Sequence, residues 1–300
     1  ATINAIKHSG ANPIFMDIDD YLNLDQDKSI EFIKKKTFFK NGHTYNKISR
    51  KRIKAIIIVH VFGNAARFEE LYNFCQKRNI DVIEDAAESI GTRYIKGKFK
   101  NKHTGTVGKL GFISFNGNKT ITAGNGGVIL TNDRKIAEKA RYLITQAKDD
   151  PINFIHNNVG YNFKLSNVSA AIGVAQIENL NFFLKKKKRI HEMYKEKINQ
   201  INGLQILNCP DYAINNYWLN ILKINNKKFN RCVKNLISDF EKRGIQTRPI
   251  WFPNHMQKPF KKYMKYKINK AETIIKNLIC LPSSSQLEVK SINKIVNILR

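Results

Sequence analysis

Ser114-Phe115-Asn116-Gly117-Asn118-Lys119 joins two apolar runs, Leu110 to Phe115 and Gly127 to Leu130, which read as strands. A lysine on such a loop is ordinarily a solvated surface residue. The surroundings argue for more. Ser114 ends a strand, Asn-Gly favours a tight turn, and Gly124, Gly126 and Gly127 let backbone pass close to a neighbour. A lysine in a concave, partly dry site favours its free amine, because burial disfavours an ammonium. A free amine can attack a carbonyl and form a Schiff base. Lys119 is therefore the candidate catalytic residue.

Such a lysine becomes a cofactor anchor only with a carboxylate partner. Ile80-Asp81-Val82-Ile83-Glu84-Asp85-Ala86-Ala87-Glu88-Ser89-Ile90-Gly91 reads as a short strand ending in acids and small residues. Pyridoxal 5'-phosphate needs an aspartate beside its ring nitrogen to keep the ring an electron sink. Asp85, at the carboxyl end of a strand in an open α/β sheet, suits that role. The residues alone allow another reading, in which Asp85 or Glu88 caps a helix beginning at Ala86.

Val59-His60-Val61-Phe62-Gly63-Asn64, the stretch from Val82 to Gly91, the Lys119 loop, Gly160-Tyr161-Asn162-Phe163 and Thr247-Arg248-Pro249-Ile250-Trp251 together resemble the DegT/StrS family of nucleotide-sugar aminotransferases. The resemblance spans essentially the whole chain and is nearest to the branch that makes 4-amino sugars for legionaminic-acid-type nonulosonates. It implies an α/β fold of the aspartate-aminotransferase type (fold type I of the pyridoxal enzymes): a mixed, mostly parallel sheet flanked by helices, with a smaller C-terminal α/β domain. Residues 1–180 would form the large cofactor-binding domain and 181–300 the small one.

The resemblance also assigns roles. Lys119 would carry the cofactor, Asp85 would face its ring nitrogen, Glu88 would lie against the ring, and Ser114 would bind phosphate. Asn162 would reach the phosphate of the neighbouring subunit in trans, which makes a homodimer the expected assembly. Arg248 and His255 would border the sugar and nucleotide. His60 is a further candidate for touching substrate, although a satisfied histidine at a strand end is the stronger reading of it. Lys164 stands where many members have arginine. The family's phosphate loop and ring-stacking aromatic would fall before Ala1, so an N-terminal part is expected to be missing and residues 1–300 alone to hold the cofactor weakly.

Composition narrows the field. Three hundred residues, 42% of them hydrophobic, suit a globular protein with a sizeable core. No apolar run is long enough to span a bilayer, and no signal peptide is recognisable. Cys75, Cys209, Cys232 and Cys280 are far apart and fit buried thiols in a reducing cytoplasm better than a disulfide frame or a zinc site. The net charge of +28 comes from lysines spread along the whole chain among Asn and Ile. Only Lys185-Lys186-Lys187-Lys188-Arg189 is dense, and it lies in a helical pattern. Nucleic acid and membrane are therefore not expected partners, although the charge can attract an anionic nucleotide sugar. The histidines have no metal-ligand spacing, and no P-loop, dinucleotide fingerprint or nucleophile elbow is present.

Further along, Ile53 to Val61 reads as a buried parallel strand, Phe68 to Arg78 as a helix and Tyr94 to Lys109 as a surface hairpin or loop. Helices are expected after Asp133 and after Ser166. Tyr217 to Ile224 reads as a strand, Phe229 to Arg243 as a helix and Ile245 to Trp251 as a returning strand, with His255 on the loop beyond. The expected activity is transfer of glutamate's amine to C4 of a UDP-linked 4-keto-6-deoxy-2-acetamido sugar. A GDP-4-keto-sugar (perosamine-type) aminotransferase is the alternative. A family dehydratase is disfavoured because those enzymes carry histidine at the position of Lys119, and a basic pseudoenzyme that binds nucleic acid is the non-enzymatic reading.

Overall fold

A computed structural model describes the whole chain, Ala1–Arg300. Four strands carry the site: β1 (Ala55–Val59), β2 (Asp81–Asp85), β3 (Leu110–Ser114) and β4 (Gly127–Leu130), in that spatial order. The first three run parallel, and β4 pairs antiparallel with β3. The register sets Val59 beside Asp85, Asp85 beside Phe112, and Ser114 beside Gly127. The carboxyl ends of β2 and β3 thus bring Asp85 and Ser114 to one edge of the sheet, where ligands bind in open α/β folds. The run Ala-Ile-Ile-Ile-Val makes β1, since β-branched side chains suit an extended backbone. It lies at the edge of this sheet and is mostly half-buried, not the enclosed strand expected from its composition.

Around this sheet lie α1 (Thr2–His8), α2 (Gln26–Lys36), α3 (Glu69–Lys77), α4 (Arg134–Ile144) and α5 (Asn167–Glu178). Capping fixes several starts. Asp25 accepts from the Lys28 N–H, Asp133 from the Lys135 and Ile136 N–H groups, and Ser166 from the Ser169 N–H. The Gln26 side chain accepts from the Glu70 and Leu71 N–H groups, tying the start of α2 to the first turn of α3. Helix α3 buries Leu71 and Cys75, four residues apart on one face. Helix α5 differs: it is apolar yet buries only Gly173, leaving Val168, Ile172, Val174 and Ile177 exposed. Phe154, Val159 and Phe163 are exposed just before it.

The long helix α6 (Leu180–Ile198) leads into an antiparallel sheet of β5 (Leu204–Ile206), β6 (Asn220–Ile224), β7 (Arg248–Pro249) and β8 (Leu278–Leu281), ordered β7-β8-β6-β5. Helices α7 (Val233–Lys242) and α8 (Val289–Leu299) pack on it around Tyr194, Leu222, Phe240 and Ile292. A separate core, built on Ile58, Phe68, Leu71 and Val82, also takes in Ala213 and Tyr266 from the C-terminal part. No helix is long and apolar enough to cross a membrane.

Several elements are shorter than the sequence suggested, for local reasons. The strand expected from Tyr217 begins at Asn220, because Asn215 and Asn216 accept from the Tyr217 and Trp218 N–H groups and Tyr217 takes φ of +52°. The stretch from Tyr94 to Lys109 is no free surface hairpin. Tyr94 and Phe99 are buried, and the N–H groups of Gly105, Val107 and Gly108 are held by the buried Glu84.

Candidate active site

Lys119 follows a turn in which its own N–H donates to Asn116 O and the Asn116 N–H donates to Ser114 Oγ. Buried Phe115, Ile121 and Ala123 hold both flanks of the loop. Lys119 Nζ lies 3.9 Å from Glu88 Oε1 and 4.4 Å from the centroid of the Trp218 ring, and its side chain is 13% exposed.

Asp85 ends β2 with its carboxylate held on both oxygens. Oδ1 accepts from the Ala87 N–H at 3.1 Å, and Oδ2 accepts from the Thr2 hydroxyl at 2.5 Å. No helix begins at Ala86. Residues 86–92 form turns, so the helix-capping reading of Asp85 and Glu88 does not hold. Glu88 Oε2 instead accepts from the Phe62 N–H at 2.8 Å. Burial pushes the Glu88 carboxyl up to about 7, against the opposing pull of the Phe62 N–H and the Lys119 ammonium. Beside this pair, Phe62, Trp218 and Trp251 form an aromatic wall with ring centroids 4.6 to 6.3 Å apart; Trp251 is half exposed.

Three of the expected substrate contacts fare differently. His60 is fully buried and follows the satisfied-histidine reading, so it leaves the set of substrate contacts. Its Nε2 bonds Glu84 Oε2 at 3.0 Å, and its Nδ1 accepts from the Ala66 N–H, so neither nitrogen is left for a ligand. Burial raises the Glu84 carboxyl, but His60 and the backbone N–H groups outweigh that and hold it below the ordinary glutamate value. His255 is also buried, in a short turn over Asn254–Met256, where Nε2 bonds Glu272 Oε1 at 2.8 Å and the ring meets Phe15. It lies on the connection after β7, as expected, but enclosed rather than facing a ligand. Arg248 remains exposed on β7, opposite Cys280. Cys280 borders the site: burial first, then the Glu88 charge, pushes its thiol up to about 12.

Asn162 bridges to Thr145 in an exposed segment and makes no hydrogen bond to the Lys119 loop within this chain. With Lys148 and Lys164 it lines an open polar depression of about 360 Å³. Sequence reading missed Thr2, Phe62, Asn216 and Trp218. The Thr2–Asp85 and Trp218–Asn118 contacts join residues too far apart in the chain for any local pattern to reveal.

The residues fit pyridoxal phosphate. Each carboxylate oxygen has about two acceptor sites, so Asp85 keeps capacity for a ring N–H beyond its two bonds. Ser114 Oγ accepts from Asn116 and gives its own proton to no protein acceptor, leaving it free to donate to a phosphate oxygen. Lys119 meets Glu88 without a hydrogen bond.

The model of the DegT/DnrJ/EryC1/StrS aminotransferase family matches residues 1–300. The chain belongs to this family. EpsN of Bacillus subtilis (strain 168), named as a pyridoxal phosphate-dependent aminotransferase, is 32% identical over all of this chain and 74% of its own length. GDP-perosamine synthase of Escherichia coli O157:H7 is 33% identical over 96% of this chain and 72% of its own. The fold matches that of Helicobacter pylori PseC, an aminotransferase involved in the biosynthesis of pseudoaminic acid, with TM-score 0.85, 23% identity and coverage of 99% of this chain and 75% of that one. This member of the DegT/DnrJ/EryC1/StrS family is a pyridoxal phosphate-dependent nucleotide-sugar aminotransferase with the expected α/β fold.

Proposed function

We propose that this aminotransferase moves the amine of glutamate to C4 of a nucleotide-linked 4-keto-6-deoxy sugar, using Lys119 as cofactor anchor and proton carrier. The observation that carries this reading is the convergence of Lys119, Asp85 and Glu88 at one sheet edge. Pyridoxal phosphate, when bound, supplies the electron sink that makes a carbon beside nitrogen acidic. Asp85 keeps negative charge beside the ring nitrogen, and Ser114 donates to the phosphate. Lys119, once released from the cofactor, takes a proton from the donor's α-carbon and later returns one to the sugar's C4. Glu88, fixed by the Phe62 N–H, and the Trp218 ring of the aromatic wall flank the Lys119 amine.

Asn162 is assigned to a partner subunit's phosphate, and the exposed apolar face of α5 supports a homodimer that covers it. The separate cores support a division into a large and a small domain near residue 180. A cytoplasmic site of action agrees with four free cysteines.

Two nucleotides compete. A UDP-linked 2-acetamido sugar follows from the branch resemblance, and the H. pylori UDP-4-amino-4,6-dideoxy-N-acetyl-beta-L-altrosamine transaminase is 24% identical. The higher identity to the E. coli GDP-perosamine synthase favours a GDP-linked sugar as the first to test. Incubation of the cofactor-loaded protein with glutamate and each keto sugar, read by mass spectrometry of the sugar, decides between them. Amination of the GDP sugar alone selects the second reading, amination of the UDP sugar alone the first, and amination of neither overturns the 4-keto-sugar assignment.

A further inference from the structure

Trp218 stands one hundred residues from the Lys119 loop and lies on the strap that leads into β6, yet it meets that loop twice. Its indole Nε1–H donates to Asn118 O at 2.7 Å, and the face of the same ring lies under Lys119 Nζ at 4.4 Å. Two residues earlier, Asn216 is fully buried. Its Nδ2 hydrogens serve the carbonyls of Glu88 and Ile90 at 2.8 and 3.0 Å, with Thr120 Oγ1 at 3.4 Å, while its Oδ1 accepts from the Trp218 N–H. One strap therefore binds the Lys119 loop and the Glu88 turn at once.

Its footing is specific. Gly63 has φ of +85°, and a Cβ there would stand 1.9 Å from Asn216 Oδ1, so the backbone of the His60–Asn64 turn has to lack a side chain for Asn216 to enter. From the other side, buried Lys187 on α6 donates to the carbonyls of Trp218 and Ser283. The strap is thus anchored in both halves of the chain.

We propose that Trp218 and Asn216 are positioning residues for Lys119, holding its loop in register with Glu88 and giving its amine a resting place on the indole face. The logic is chemical. A lysine that is alternately attached and free needs a station near its target. A π-face holds an ammonium without a directional hydrogen bond, and the gap to Glu88 is beyond hydrogen-bond reach, so the amine stays near and available. This rests on Lys119 being the anchor, but its test is separate.

The chain has two tryptophans, so indole ¹⁵N–¹H spectroscopy of the cofactor-free protein reads the clamp in the wild type, with W251F assigning the signals by elimination. The Trp218 indole proton is expected to exchange at least about tenfold more slowly than that of half-exposed Trp251 and to shift in K119A. W218F, which keeps a ring and loses the N–H, is expected to lower kcat about fivefold with the sugar KM within about twofold, as for one lost hydrogen bond. W218L, which also loses the π-face, is expected to fall further. A Trp218 indole that exchanges as fast as Trp251, or ignores Lys119, overturns the proposal whether or not the variants fold. Equal kcat in W218F, W218L and wild type overturns it too. Cofactor attachment elsewhere than Lys119 would instead defeat the underlying reading.

Discussion

Lys119 and Glu88 face each other with Nζ 3.9 Å from Oε1, close enough for their charges to interact and too far for a hydrogen bond. The carboxylate is tied back by the Phe62 N–H, so the lysine is attracted without being captured. Most of the expected behaviour follows from that pairing.

Glu88 makes stability fall with rising pH. Unfolded, it releases its proton near 4.5; folded, burial holds the proton to about 7. Between those values the folded chain binds the extra proton, so the contribution is fully present below 4.5 and is lost as pH rises through 7, by about 3 kcal/mol for a shift of this size. Tm of the cofactor-free protein, followed from pH 4.5 to 7.5, is expected to show this slope, and E88Q to flatten it. An unchanged slope in E88Q would assign the dependence to other groups.

Asp85→Asn retains the shape and can keep the Ala87 N–H bond, but removes the charge proposed to face the cofactor's ring nitrogen. Turnover is expected to fall about a hundredfold, the scale for loss of one preorganised electrostatic partner. Circular dichroism and Tm should stay near wild type. Full activity in D85N would remove Asp85 from the cofactor's site.

His60 and Glu84 are expected to matter for folding and not for substrate affinity. Glu84→Gln leaves His60 and three backbone N–H groups around a neutral amide in a fully buried place. Weakening hydrogen bonds to a buried carboxylate costs about 1.5–3 kcal/mol. Urea unfolding checks the loss. A raised sugar KM at unchanged stability would restore His60 to the substrate pocket.

The local chemistry of the site was legible in the chain. The Asn-Gly turn, the strand ending at Asp85 and the caps at Asp133 and Ser166 are all short-range patterns. What escaped was set by contacts across the fold. His60 could be read as a satisfied histidine at a strand end, but nothing near it in sequence announces its partner Glu84, buried on the neighbouring strand. His255 looked available to substrate because Glu272 and Phe15 enclose it only in space. The strap from Asn215 to Trp218 read as the start of a strand. Its asparagine side chains take over the backbone N–H groups and turn it toward Lys119, which is a matter of tertiary packing.

That Lys119 is the anchor can be measured directly. Borohydride reduction of the cofactor-loaded protein, followed by peptide mass mapping, is expected to leave the pyridoxyl group on the peptide containing Lys119. In K119A the label should vanish and turnover should fall by about a thousandfold or more. A pyridoxyl group on any other lysine, or label and turnover that survive in K119A, would contradict the assignment of the site.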